Sequence, residues 1–343
     1  MQTGFRPIRR KKQEPSKSNA GRAFFALALV VLTFSLIYNF TDLLPSREIR
    51  LPTSYEIFVT FIDVGQGDSI LIRSAYNAVL IDGGEHRYRH VVLSYLRQAN
   101  ISRLDFVVAT HPHSDHIGSL PTVVSHIEVG KIVMPEITHD TEQFSNFMEA
   151  IHNHDLYVVF PLAGDMLLAG AIKLEVVSPK HKSGSINNSS IVLHMEHGYT
   201  SFLFTGDAER EAEYSMVASG FDISANVLKV GHHGSRTSTT QRFLDAVSPC
   251  IAVISVGQTN PFGHPHPYVI SRLQESGIEI LTTATHGNIL MITNGTVIYI
   301  FHTTTAKIRL PSNSTHSLVY SPVLFLRKSN VNIKPSLAFL LSM

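Results

Sequence analysis

The chain has 343 residues, 44% hydrophobic and 16% charged, with 28 Lys and Arg against 27 Asp and Glu. This composition excludes a disordered, collagen-like or uniformly polybasic chain. The near-zero net charge hides a split: residues 1–50 carry 9 basic and 3 acidic side chains, 51–300 carry 14 and 24 (a sum of −10), and 301–343 carry 5 and none.

Residues 1–22 hold Arg6, Arg9, Arg10, Lys11, Lys12, Lys17 and Arg22, and an uncharged run, AFFALALVVLTFSLIYNF, follows over 23–40. About 18 apolar residues are near the minimum that spans a hydrocarbon core. The basic flank predicts a cytoplasmic N-terminus and places everything after the span outside the cytoplasm, in a single pass of the cell membrane. No A-x-A-like site follows the run, which favours an uncleaved anchor over a signal peptide. Residues 41–54, with Pro45 and Pro52, read as a linker to a domain over 55–302.

Short β-branched and aromatic runs at 55–62, 69–72 and 78–81, separated by Gly and Asp turns, predict the opening strands of a sheet. A helix is expected over 89–98, a buried strand over 104–110 and helices over 119–126 and 142–152, the last with Phe144, Phe147, Met148 and Ile151 on one face. Strands follow at 171–177, 191–196 and 200–205, then a helix over 208–218, a strand at 225–230, a helix over 239–246 and a strand at 251–256. The segment 303–343 shows one short strand pattern at 318–326 and no assignable function.

Polar signatures follow the strand ends, where α/β layers place their sites. There are 19 histidines, 17 of them between 51 and 300, so metal or acid–base chemistry is the first to look for, whereas the lone Cys250 rules out an intrachain disulfide and a cysteine-rich cluster. The sequence HPHSDH over 111–116 concentrates that chemistry. On a turn after a rigid strand, His111 and His113 can face one ion while Asp115 and His116 turn toward a second, a donor set that suits Zn²⁺ and related ions.

This loop resembles the H-x-H-x-D-H motif of the metallo-β-lactamase superfamily, and the resemblance extends over roughly 55–300. Within it the chain is most similar to the hydrolase domain of ComEC-type DNA-uptake proteins. FIDVGQGDSILI (61–72), LIDGG (80–84), INNSSIVL (186–193), FTGD (204–207), LKVGHHGSRTS (228–238), SVGQTNPFGHPHP (255–267) and THGNI (285–289) match in order. The family's polytopic channel has no counterpart in these 343 residues, in which 23–40 is the one spanning candidate.

The resemblance implies a four-layer αββα sandwich of mixed α/β class, here preceded by a single transmembrane helix. It implies one or two Zn²⁺ ions, with Mn²⁺ as the alternative, held by His111, His113, Asp115, His116 and Asp207 and by one of His232 and His233, an adjacent pair that sequence does not separate. Asp82 is expected behind the ligands, although it would also serve as a turn residue. Asp207 would equally cap a helix beginning at 208. The superfamily's third histidine on the first metal has no equivalent: Asn188 and Ser190 occupy that stretch.

Asp68, Asn188 and Ser190 are left as support or substrate residues, and Asp68 fits a turn cap as well. Hydrolysis is the implied reaction, with Asp115 orienting the attacking water and His264 or His266 protonating the leaving group. DNA is the implied substrate and a DNA-uptake channel the implied partner. The acidic domain keeps a small phosphodiester, lactone or thioester open as the substrate, and a low-turnover metal-binding partner of the channel open as a non-enzymatic role.

Overall fold

The fold follows from strands that are apolar on both faces, a pattern that requires cover on each side of a sheet. The computed structural model describes residues 56–181, 185–303 and the backbone of 323–325. In chain order it gives β1 (Ile57–Phe61), β2 (Ile70–Arg73), β3 (Ala78–Ile81), α1 (Arg89–Gln98), β4 (Arg103–Val108), α2 (Ser114–Ile117), α3 (Leu120–Val124), β5 (Glu128–Val133) and α4 (Glu142–Asn153). There follow β6 (Val158–Val159), β7 (Met166–Ala169), β8 (Ile172–Ser178), β9 (Val192–His197), β10 (Thr200–Phe204), α5 (Arg210–Ser219), β11 (Val227–Lys229), α6 (Gln241–Val247) and β12 (Ile251–Ile254). The last are α7 (Pro267–Glu275), β13 (Glu279–Thr282), α8 (Thr283–His286), β14 (Ile289–Thr293), β15 (Ile298–His302) and β16 (Val323–Phe325).

Among the described residues the strands form a nine-stranded sheet ordered β16-β15-β14-β1-β2-β3-β4-β5-β6 and a seven-stranded sheet ordered β13-β12-β11-β10-β9-β8-β7. Period-two alternation sends neighbouring side chains to opposite faces. Thus Ile57, Val59 and Phe61 of β1 and Ile70 and Ile72 of β2 meet Leu193, Met195, Phe202 and Phe204 of the other sheet in the central layer. Each such side chain, fully buried, contributes about 1.5–3 kcal/mol.

The intervening residues Leu71, Leu80 and Val107 pack under Val92, Leu96, Val123 and Phe147 of the helices on the outer face of the first sheet. On the far side Leu203, Leu228 and Ala252 pack under Met216, Phe243 and Leu273. Helix, sheet, sheet and helix layers result, as the resemblance implies.

Parallel pairing of β3 with β4 and of β10 with β11 and β12 brings their C-terminal ends to one edge. Asp82, His111, Asp207, His233 and Ser255 all follow those ends. Several expectations differ in detail. The single helix expected over 119–126 is preceded by α2, so Asp115 and His116 lie on a helical turn rather than in a loop. Met148 is exposed while Phe144, Phe147 and Ile151 are buried. Strands β5 and β7, helix α7 and strands β13 to β15 are not among the expected elements; β7 and β15 pair in hairpins with β8 and β14, and β14 pairs at long range with β1, Ile57 opposite Thr293. The basic segment 1–22, the anchor 23–40 and the linker 41–54 lie outside the described residues, as does the tail except 303 and 323–325. Among the described residues no helix is long and apolar enough to cross a membrane.

Candidate metal centre

The loop after β4 is held from behind by Asp82. Its Oδ1 accepts the Thr110 N–H at 2.8 Å and its Oδ2 accepts the Thr110 hydroxyl at 2.7 Å and the His116 Nδ1–H at 2.7 Å. Thr110 Oγ1 in turn lies 3.1 Å from His111 Nδ1 and, having given its proton to Asp82, accepts from that nitrogen. One buried carboxylate therefore fixes both imidazoles with Nε2 facing inward, the arrangement that metal-binding histidines require. Asp82 itself sits at φ 57, a left-handed conformation that Asp tolerates better than most residues.

Among the described residues four groups of donor atoms each have all their atoms within 4.8 Å of one another; two include Asp68 (with Asp207 and His233, and with Asp82 and His116), and the other two are His111, His113 and Asp207, and Asp115, His116 and His233. Asp207 Oδ2 lies between these last two, 3.7 Å from His111 Nε2, 3.3 Å from His116 Nε2 and 3.5 Å from His233 Nε2. Its approach depends on Gly206, at φ 50, where a Cβ would lie 3.0 Å from Thr110 and 3.1 Å from Ser190. Helix α5 begins at Arg210 and has Glu209 at its N-cap, so Asp207 is not the cap. Asn188 serves that helix instead, its Oδ1 accepting the N–H of Glu209 at 3.0 Å and of Ala212 at 3.4 Å, and it is not brought into the donor groups. Ser190 supports two of the donors instead: its hydroxyl accepts the Asp207 N–H at 3.1 Å and lies 3.4 Å from His111 Nδ1.

His232 and His233 occupy different positions. His233 is buried, with Nδ1 donating to the Ser255 carbonyl at 2.9 Å and Nε2 3.2 Å from Asp115 Oδ2. His232 is partly exposed, with Nδ1 3.2 Å from both Glu209 Oε1 and Thr237 Oγ1 and Nε2 3.8 Å from Asp207 Oδ2. Both have left-handed backbones, φ 48 and 53, followed by Gly234 at φ 80. Consecutive non-glycine residues in this region carry strain of order 1–3 kcal/mol each, of the kind that accumulates at functional sites.

Asp68 lies beneath the centre, ion-paired with the buried Lys229, and its Oδ1 is 3.5 Å from His233 Nδ1. Lys229 Nζ also donates to the Gly206 carbonyl at 2.8 Å and stands 3.8 Å from Asp207 Oδ1. The buried role of Lys229 is not foreseen in the sequence, although a lysine in an otherwise apolar strand is its signal. His139, whose ring centroid is 5.5 Å from that of His113, has no sequence signal. His264 and His266 sit at the rim: the His264 ring is 5.5 Å from that of His232, while His266 Nδ1 accepts the Tyr268 N–H and caps α7.

The electrostatics fit a cation. Burial, reinforced by His116, lowers His111 well below the usual imidazole range and keeps it a neutral ligand. Burial opposes the charge of His116 too, yet Asp207 and Asp82 raise it well above that range, and His233 is raised against burial by Asp207 and Asp115. Burial likewise opposes ionisation of Asp207, but His233 and His116 hold it well below the usual carboxylate range. His116 Nε2, His233 Nε2, Asp207 Oδ1 and Asp68 Oδ1 are buried and make no hydrogen bond. Of the four carboxylates, Asp68 and Asp207 lie beside the one ammonium, Lys229, whereas Asp82 and Asp115 face the His116 and His233 imidazoles. A divalent ion would satisfy the inward nitrogens and oxygens and offset the excess negative charge.

Residues 62–258 match the family described as the metallo-beta-lactamase superfamily. The chain belongs to that superfamily. It is 34% identical over 250 residues to "ComE operon protein 3" of Bacillus subtilis (strain 168), covering 67% of this chain and 32% of the relative. It is 34% identical over 235 residues to "Competence protein ComA" of Neisseria gonorrhoeae, covering 68% and 32%. "Recombination protein 2" of Haemophilus influenzae is 30% identical over 263 residues, covering 75% and 31%. The chain thus spans about a third of the length of these ComEC-type competence relatives.

Proposed function

We propose that this protein is a metal-dependent phosphodiesterase that cleaves DNA, anchored by residues 23–40 on the outer side of the membrane and working with a DNA-uptake channel. The carrying observation is Asp207 Oδ2, buried 3.3 to 3.8 Å from four imidazole nitrogens and shared by two donor groups. The competence relatives support the substrate. His111, His113 and Asp207 would hold one divalent ion, and Asp115, His116, His233 and Asp207 a second, zinc or manganese by donor chemistry. Such ions supply Lewis acidity, polarising a phosphoryl oxygen and making water nucleophilic near neutral pH.

The chain's own groups position the reactants and handle protons. Asp115 is the more open of the carboxylates beside His233 and Asp207. Burial opposes its ionisation, but His116 and His233 hold it below the usual range. It is therefore an acceptor placed to orient attacking water. His232 has Glu209 behind its Nδ1 and presents Nε2 beside Asp207, so it is placed to pass a proton to the leaving oxygen. Burial, then His232 and His233, hold His264 down to about 4, so at neutral pH it offers substrate a hydrogen bond rather than a mobile proton. This differs from the donor role expected from sequence.

The sum of −10 over residues 51–300 favours a second reading, hydrolysis of a small phosphodiester. The test uses detergent-solubilised full-length protein, stripped with chelator and reloaded with Zn²⁺ or Mn²⁺, on fluorescent single- and double-stranded DNA. Cleavage that needs metal and disappears in His116→Ala is the expected result. Bound metal with no DNA cut, but turnover of a small phosphodiester, moves the reading to the second substrate.

A further inference from the structure

The rim of the centre carries two large aromatic side chains that the fold does not use. Phe262 is 64% exposed and Tyr268 72% exposed. The loop bearing Phe262 is nevertheless clamped. Asn260 Oδ1 accepts the N–H of Phe262 at 3.2 Å and of His264 at 3.0 Å, and its Nδ2 donates to the carbonyls of Gly257 at 3.1 Å and His264 at 2.7 Å. A ring displayed to solvent on a backbone fixed in this way is preorganised for a ligand, with the ordering cost already met in folding.

Two stacked pairs connect these rings to the chemistry. Phe262 lies on His264 with centroids 5.6 Å apart and planes at 25°, and the His264 ring is 5.5 Å from His232. His266 lies on Tyr268 with centroids 5.2 Å apart and planes at 29°. The His266 N–H donates to the Gly234 carbonyl at 2.8 Å, which ties this second pair to the turn that carries His232 and His233.

Charge selects what such a rim can take. A nucleic-acid groove ordinarily draws affinity from Lys and Arg on phosphates, but residues 51–300 sum to −10. Stacking on aromatic faces supplies affinity without positive charge and needs bases that are unpaired and free to splay. We infer that the Phe262–His264 and His266–Tyr268 pairs form a base-stacking rim that seats unpaired nucleobases of single-stranded DNA beside the phosphodiester being cut. The inference rests on the phosphodiesterase reading and narrows its substrate to strands with exposed bases.

The chain contains no tryptophan, so Phe262→Trp creates a single tryptophan at the rim, excited selectively over the tyrosines at the red edge of their absorption. In the metal-loaded full-length protein, phosphorothioate octathymidylate should quench its emission, and an abasic octamer of the same backbone should not. In fluorescence anisotropy the double variant Phe262→Ala/Tyr268→Ala should bind octathymidylate about tenfold or more weakly than wild type, with binding of the abasic octamer unchanged. Equal affinity of wild type for the two oligomers, or a double variant within twofold of wild type, overturns the inference. If both oligomers bind equally and DNA is still cut, the rim fails and the hydrolase reading stands. Quenching by octathymidylate with no DNA cut leaves the rim in place and removes the hydrolase reading.

Discussion

Replacing Asp82 by asparagine changes almost nothing in shape and inverts two hydrogen bonds. Asparagine tolerates the left-handed φ of 57 at this position, and an amide oxygen at Oδ1 keeps the Thr110 N–H bond. The amide nitrogen then stands where Oδ2 accepts from His116 Nδ1 at 2.7 Å and from Thr110 Oγ1 at 2.7 Å. Two donors cannot face each other. His116 must therefore accept at Nδ1 and carry its proton on Nε2, the atom that points at Asp207. Thr110 must also turn its hydroxyl, which loosens its hold on His111. Removing a partner of this kind costs metal affinity 10–100-fold, about 1.4–2.8 kcal/mol. The assay is competition for zinc against a chromophoric chelator, with thermal unfolding of the metal-free proteins as the control. Asp82→Asn should fold and bind the ion tied to His116 10–100-fold more weakly. Unchanged zinc affinity in a folded Asp82→Asn protein would refute the argument that Asp82 sets the tautomer.

Other outcomes follow from the same geometry. His233→Ala should lose part of the bound metal and His232→Ala should keep it while losing turnover, as read by elemental analysis and DNA cleavage on one preparation. Gly206→Ala should destabilise the protein by about 1–3 kcal/mol, seen in denaturant unfolding, because the new methyl meets Thr110 and Ser190 and the left-handed φ penalises any side chain. Lys229→Met strips the buried Asp68 of its ammonium partner, leaving only imidazoles at 3.5 Å or more, and should cost about 3–5 kcal/mol, with Asp68→Asn in the same chain recovering much of it. Zinc binding should strengthen as pH rises from 6 to 8. His116 and His233 have raised pKa values in the folded metal-free protein, so their contribution to its stability is complete below about 6.5 and is lost as pH rises through those values. A metal ion must displace the same protons. Calorimetry in buffers of differing ionisation enthalpy should show up to about two protons released per chain, and a pH-independent affinity would count against these protonation states.

Much of the centre is legible because its chemistry lies in short segments at strand ends. HPHSDH, the Asp of LIDGG and the Asp of FTGD each follow an apolar run, and folding brings the runs to one edge. What escaped reading depends on partners distant in sequence. The Ser255 carbonyl, 22 residues on, and Asp115 hold His233 inward, whereas Glu209 and Thr237 hold His232 at the rim. Asn188 occupies the family's ligand stretch yet caps α5 from outside that helix. Lys229 looks like a surface charge until Asp68, from the other sheet's first hairpin, is placed against it. Strands such as β14 and β15 have patterns too short to declare their partners, and β14 finds β1 from the far end of the domain.

The most direct test of the account is metal content and DNA cleavage measured together on full-length wild type and Asp207→Ala. Two divalent ions per chain with cleavage in the wild type, and loss of both metal and cleavage in Asp207→Ala, is the predicted result. An Asp207→Ala protein that keeps its metal and cuts DNA at the wild-type rate would contradict a centre organised around that carboxylate.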